Sequence, residues 1–135
     1  MEMVIINILY TNNWLSDHHK GFFDNYGIKS QHYNVLRILK GCYPEASSPG
    51  EIKSVMVDKS PDLTRLIDKL VKMDLVERNE CSENRRKVNV KISDNGIALL
   101  KKIAIEMKDL DKNWKNNLSD EEAQKLSDLL DKFRG

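Results

Sequence analysis

"SPDLTRLIDKL", residues 60–70, runs directly into "VKMDLVERNECSENRRKVNVKISDNG", residues 71–96, and the reading of this stretch decides how the rest of the chain is understood. Leu63, Leu66, Ile67 and Leu70 recur at i, i+3, i+4 and i+7, the spacing of one apolar helix face. Ser60, Pro61 and Asp62 stand before that stripe as an N-cap hydroxyl, a proline suited to the first helical position and a first-turn acid, so the helix is expected to start at a Ser60 cap. The stripe directs Asp62, Thr64, Arg65, Asp68 and Lys69 away from the core. After the helix the apolar period drops to two. Leu75–Arg78 and Lys87–Ser93 read as strands of a hairpin, joined by a polar connection that holds Arg85 and Arg86, with Lys87 opening the second strand.

Working outward, Ser30 offers a cap for an upstream helix with Tyr33, Val35, Leu36, Ile38 and Leu39 on its apolar face, ending at Gly41. Residues 43–50, YPEASSPG, read as a loop, followed by a short helix carrying Ile52, Val55, Met56 and Val57. The first segment, Met3 to Asn25, has helical spacing interrupted near Asn12 and Asn13, with Gly27 as punctuation. Downstream, Ile97, Leu99, Leu100, Ile103, Met107, Leu110 and Trp114 stripe one long helix. Ser119 with Glu122 forms a capping box for a last helix carrying Ala123, Leu126, Leu129, Leu130 and Phe133.

This order predicts a mainly α chain with a small β-hairpin: a winged helix-turn-helix over residues 30–93, with extra helices in 1–25 and 94–135, all in a single domain of 135 residues. The capped helix is then the recognition helix. Arg65 can present a fork to guanine O6 and N7, Thr64 can hydrogen-bond a base or touch a thymine methyl, and Asp62 can accept from a cytosine amine. Lys59, Lys69 and the amides at the Ser60 cap suit phosphates. Net charge is only +1, but residues 84–91 hold four cations (Arg85, Arg86, Lys87, Lys91) and no acid, as a wing inserted into a narrow minor groove would require.

These residues also carry a family resemblance. Asp58–Gly96, with TRLIDKL at 64–70, LVER at 75–78 and VKISDNG at 90–96, resembles the signature region of MarR-type transcriptional regulators, and QHYNVLRIL at 31–39 resembles that family's second helix. The resemblance implies a homodimer built from the terminal helices, binding a double-stranded, pseudo-palindromic operator and repressing transcription. It further implies release by a small aromatic or phenolic effector in a cleft between the first, second and long fifth helices, for which Trp14, His18 and Tyr33 are candidates. Arg86 falls on the family's wing arginine, with Arg85 beside it. Two positions depart from the pattern: Asn84 stands where an aspartate pairs with that arginine, and Asp74 replaces a glycine at a turn that needs positive φ.

Other chemistries fare worse. His18, His19 and His32 have no metal-ligand spacing, and adjacent helical histidines point about 100° apart, so no metal or cofactor is expected. Cys42 and Cys81 are too few for a disulfide scaffold, and neither matches the family's sensing position. The apolar run MVIINIL at 3–9 is too short to span a bilayer and has no basic flank, so the expectation is a cytoplasmic protein away from membranes. No phosphate loop, nucleophile elbow or acid/base pair points to an enzyme. The rival reading is a winged helix that binds another protein; such a wing has no need of four cations in eight residues.

Overall fold

The elements follow one another as α1 (Glu2–His19), a 3-10 turn (Phe23–Tyr26), α2 (Ser30–Cys42), α3 (Pro49–Val55), α4 (Leu63–Lys72), β1 (Val76–Cys81), β2 (Asn84–Ile92), α5 (Asp94–Leu110), α6 (Lys112–Lys115) and α7 (Asp120–Arg134). The computed structural model describes residues 1–59, 61–81 and 84–135, with side chains for all of these except residues 81, 84–87 and 113. Two compact units result, Met1–Leu100 and Lys101–Gly135. The first contains the winged helix-turn-helix.

Its core is made by the stripes read from sequence. Leu63, Leu66, Ile67 and Leu70 of α4 are buried together with Val35, Leu36 and Leu39 of α2, Ile52 of α3 and Val90 and Ile92 of β2. Contacts run between α2, α3 and α4 and from each of these helices to the hairpin. Burial of about ten aliphatic side chains, each contributing on the order of 1.5–3 kcal/mol, offsets the entropy of ordering this unit.

Several boundaries differ from the sequence reading, each for a local reason. The first helix runs unbroken through Asn12 and Asn13, since two poor helix formers cost only a few tenths of a kcal/mol each. The helix ends instead at His19, where Lys20 turns extended, and Gly21 follows with φ +82°. Gly41 does not end α2, which continues to Cys42. The loop at 43–50 is shorter than expected because Ser48 and Glu51 form a capping box with Pro49 at the first position, starting α3 early. The expected long terminal helix ends at Leu110, and Trp114 lies on the separate α6. Ser119 and Glu122 cap α7 as expected.

The hairpin differs most. Leu75 does not join the ladder, because its amide closes the end of α4 on the Leu70 carbonyl at 3.0 Å. At the far end the strands extend beyond the expected limits, so Arg85 and Arg86 join Lys87 in β2 and do not lie in a connecting loop. Glu80 pairs with Val88 and Cys81 with Asn84, so residues 85–87 occupy the register shift between two pairs. The ladder depends on backbone groups alone and continues here, and a bulge absorbs the excess residues. On its other edge β2 bridges Ser47, with N–H to carbonyl bonds of 2.8 Å in both directions to Val90.

Candidate nucleic-acid interface

The exposed face of α4 is built from its start. Pro61 lies outside the helix, and the cap is Asp62, whose Oδ1 accepts from the Thr64 amide at 3.1 Å. This corrects the expected Ser60 start: the acid read as a first-turn residue is the cap itself, two residues from the amide that it satisfies. Ser60 lies outside the described residues. The other carboxylate oxygen of Asp62 lies 3.5 Å from Nε of Arg65. Asp62 is therefore already engaged by its own helix, beyond the base-accepting role expected of it. Lys59, Asp62, Thr64, Arg65 and Lys69 are all exposed on one side of the buried stripe.

Two contacts that sequence reading misses hold this face in place. In the turn before α4, the Val57 amide donates to Oδ1 of Asn34 on α2 at 2.9 Å, fixing the turn of the helix-turn-helix. Arg78 of β1 pairs through Nη1 with Oδ1 of Asp68, tying α4 to the hairpin. The only sign of Asn34 in the sequence is a polar residue within an apolar helix face. Asp68 is visible as an outward acid, but nothing local indicates its partner ten residues on.

The end of α4 aims the hairpin. Asp74 has φ +57°, its amide donates to the Val71 carbonyl, and the Leu75 amide reaches back to Leu70, both at 3.0 Å. This is a Schellman closure with aspartate at the left-handed position usually given to glycine. Ser93 then locks the junction: its amide donates to the Leu75 carbonyl, its hydroxyl donates to the Asp74 carbonyl at 2.7 Å, and its Oγ accepts from Gly96 at 3.1 Å. Gly96 packs directly against this turn. A Cβ there would collide with the Leu75 carbonyl oxygen and sit 2.7 Å from Cγ1 of Ile92.

The side chains of Arg85, Arg86 and Lys87, and the expected pairing of Asn84 with Arg86, lie outside the described residues; β2 carries all four on its backbone. Lys91, the fourth cation of that stretch, lies 5.7 Å from the ring centre of Tyr43, which also receives Lys40 at 5.4 Å.

The three effector candidates are not brought together. The rings of Trp14 and His18 lie tilted against each other along α1 with centres 4.7 Å apart, while the ring of Tyr33 lies 4.8 Å from that of Phe23. A cavity of about 480 Å³ is walled by residues that include His19, Lys20, Phe23, Lys29, Ser30 and Gln31, and none of Trp14, His18 and Tyr33 lines it. His32 serves the fold instead, because at 5% exposure it accepts at Nδ1 from the Lys29 amide at 2.9 Å and so caps α2. Burial first, then the charges of Lys69 and Lys29, pushes its pKa below the usual histidine value.

Comparison with known proteins agrees with this geometry. The MarR family profile matches residues 28–88. The HTH-type transcriptional regulator PecS of Dickeya dadantii is 27% identical over 110 residues, 80% of this chain and 66% of PecS, so the match spans slightly under two thirds of that relative. A MarR transcription factor from Planctomyces limnophilus overlays with a TM-score of 0.75 at 28% identity, covering 97% of this chain and 95% of its own. A cysteine-to-serine mutant of Escherichia coli MarR complexed with operator DNA overlays with a TM-score of 0.76 at 26% identity, covering 98% and 95%. Profile, relatives and near-complete structural overlap together support a MarR-type winged helix-turn-helix transcription regulator.

Proposed function

We propose that the chain binds duplex DNA as a homodimer and represses transcription, with α4 in the major groove and the β1–β2 hairpin reaching the adjacent minor groove. The observation that carries this reading is the division of α4. Its four apolar residues are buried, and Thr64, Arg65 and Lys69 are exposed beside a capped N-terminus. That arrangement supports groove entry, with Arg65 and Thr64 reading bases, Lys59, Lys69 and Lys87 on phosphates, and Arg85 and Arg86 at the minor groove. The E. coli protein complexed with operator DNA supports the DNA-binding reading.

The terminal helices support the dimer. Apolar residues surround α1, yet none of its 18 residues is buried, and Leu126, Leu129 and Phe133 of α7 are about half exposed. A helix apolar all round is ordinarily covered on all sides, and a second copy supplies that cover. The cavity beside α1 and α2 supports a small aromatic or phenolic effector by its size.

Selection of bound duplexes from a random pool, followed by titration at several salt concentrations, tests the reading. A half-site repeat should emerge and bind far more tightly than a scrambled duplex of equal length, and phenols or benzoates in a small panel should weaken it. A wild type that prefers no duplex would leave the protein-binding winged helix in its place. Sedimentation at micromolar concentration should give about twice 15.6 kDa.

A further inference from the structure

The start of α4 carries an acid on the very face that has to approach a polyanion. Asp62 spends one oxygen on the Thr64 amide at 3.1 Å and directs the other to Nε of Arg65 at 3.5 Å. Capping alone does not require a charge, since asparagine and serine cap as well as aspartate. A carboxylate there weakens attraction to phosphates for every DNA sequence alike. The geometry of the second contact suggests what offsets that loss. Oδ2 meets Nε, so it orients the guanidinium while Nη1 and Nη2 can still form a fork.

We propose that Asp62 is a positioning residue for Arg65, trading general affinity for discrimination at the one base pair that Arg65 reads. This rests on the DNA-binding reading above and adds to it a residue that acts through another residue rather than on a base. Both side chains are well exposed, Arg65 at 87% and Asp62 at 58%, so the contact is a solvent-screened one. An exposed pair of this kind sets the scale at roughly 2- to 5-fold in discrimination.

The test uses the full chain, the duplex enriched from a random pool, and a set of that duplex's single-base-pair substitutions. Asp62→Asn keeps the cap and removes the charge; Arg65→Ala identifies the base pair that Arg65 reads. Asp62→Asn should melt as the wild type does, bind a scrambled duplex more tightly, and lose discrimination at the same base pair that Arg65→Ala relaxes. Asp62→Ala should lose discrimination there too, with a lower melting temperature. Unchanged discrimination in Asp62→Asn would overturn the proposal. So would relaxation at a different base pair, which would make Asp62 a direct reader, or an Arg65→Ala variant that relaxes no base pair at all. A wild type that prefers no duplex fails earlier and differently, by removing the DNA-binding reading and this proposal together.

Discussion

Helices α4 and α7 carry the same apolar spacing and meet opposite fates. In α4, Leu63, Leu66, Ile67 and Leu70 fall at i, i+3, i+4 and i+7, and all four are buried. In α7, Leu126, Leu129, Leu130 and Phe133 repeat that spacing, and no residue of the helix is buried. Periodicity thus announces that a stripe will be covered without saying by what. The α4 stripe is covered by α2, α3 and the hairpin of its own chain, so its outer face is left for a ligand. In the dimer proposed above, the α7 stripe is the ligand-facing one, and its ligand is another copy.

The sharpest way to break this comparison is to truncate one leucine from each stripe. Leu70→Ala should cost about 3–4 kcal/mol in denaturant unfolding, because a fully buried side chain leaves a cavity. Leu129→Ala removes the same atoms from a half-exposed position. It should leave unfolding extrapolated to low protein concentration almost unchanged while shifting sedimentation toward monomer. Equal losses in both would mean that α7 is covered from within the chain.

Gly96→Ala probes the junction that lets α4 end and the hairpin begin. The added methyl has to displace the Leu75 carbonyl or Ile92, neither a flexible side-chain end, and overpacking of this kind costs about 1–3 kcal/mol. Calorimetry should show the lower melting temperature, with a larger loss for valine at the same position.

A pH scan addresses the α2 side of the helix-turn-helix. His32 has its folded pKa pushed below the ordinary value of 6.5, so the unfolded chain takes up its proton first as pH falls. The stability contribution of neutral His32 is therefore complete above about 6.5 and declines as pH drops from there toward the folded pKa. His32→Gln, which can still accept from the Lys29 amide, should flatten stability against pH across that window. An unchanged slope would assign the acid sensitivity to other groups. The capping acids Glu51 and Glu122 are distinct, since hydrogen bonds from Ser47 and Ser48 to the first and from Ser119 to the second lower their pKa below 4.5.

The smallest expected effect is a gain. Asp74→Gly relieves a left-handed aspartate at φ +57° and should stabilise by about 0.5 kcal/mol, less than the steric relief alone because glycine also loosens the unfolded chain. Urea midpoints with an unchanged slope would measure it. A loss would indicate that the aspartate side chain itself supports the turn.

The α4 stripe, the turn at Asp74 and the box at Ser119 are legible in the sequence because each depends on residues within one or two turns of one another. The start of α4 reads too early because Ser60-Pro61-Asp62 offers two valid caps, and local chemistry ranks them nearly equal. The hairpin reads too short on its outer end, since charged residues resemble a loop while the ladder depends only on backbone groups. For Asn34, Arg78 and Ser93 nothing local identifies the partner: each is a polar residue whose partner belongs to another element.

What the sequence determined by itself is what nearest neighbours along the chain can enforce: helical and strand periods, caps, a left-handed turn and a local excess of positive charge. Tertiary structure alone decided that Ser93 locks the Asp74 turn, that Asp68 holds Arg78, and that Asn34 fixes the turn before α4. It also decided that two identical stripes end up on opposite sides of the burial divide. The physical reason is range. Propensity and capping act over about four residues, whereas burial and cross-element hydrogen bonds depend on which surfaces the folded chain brings within contact.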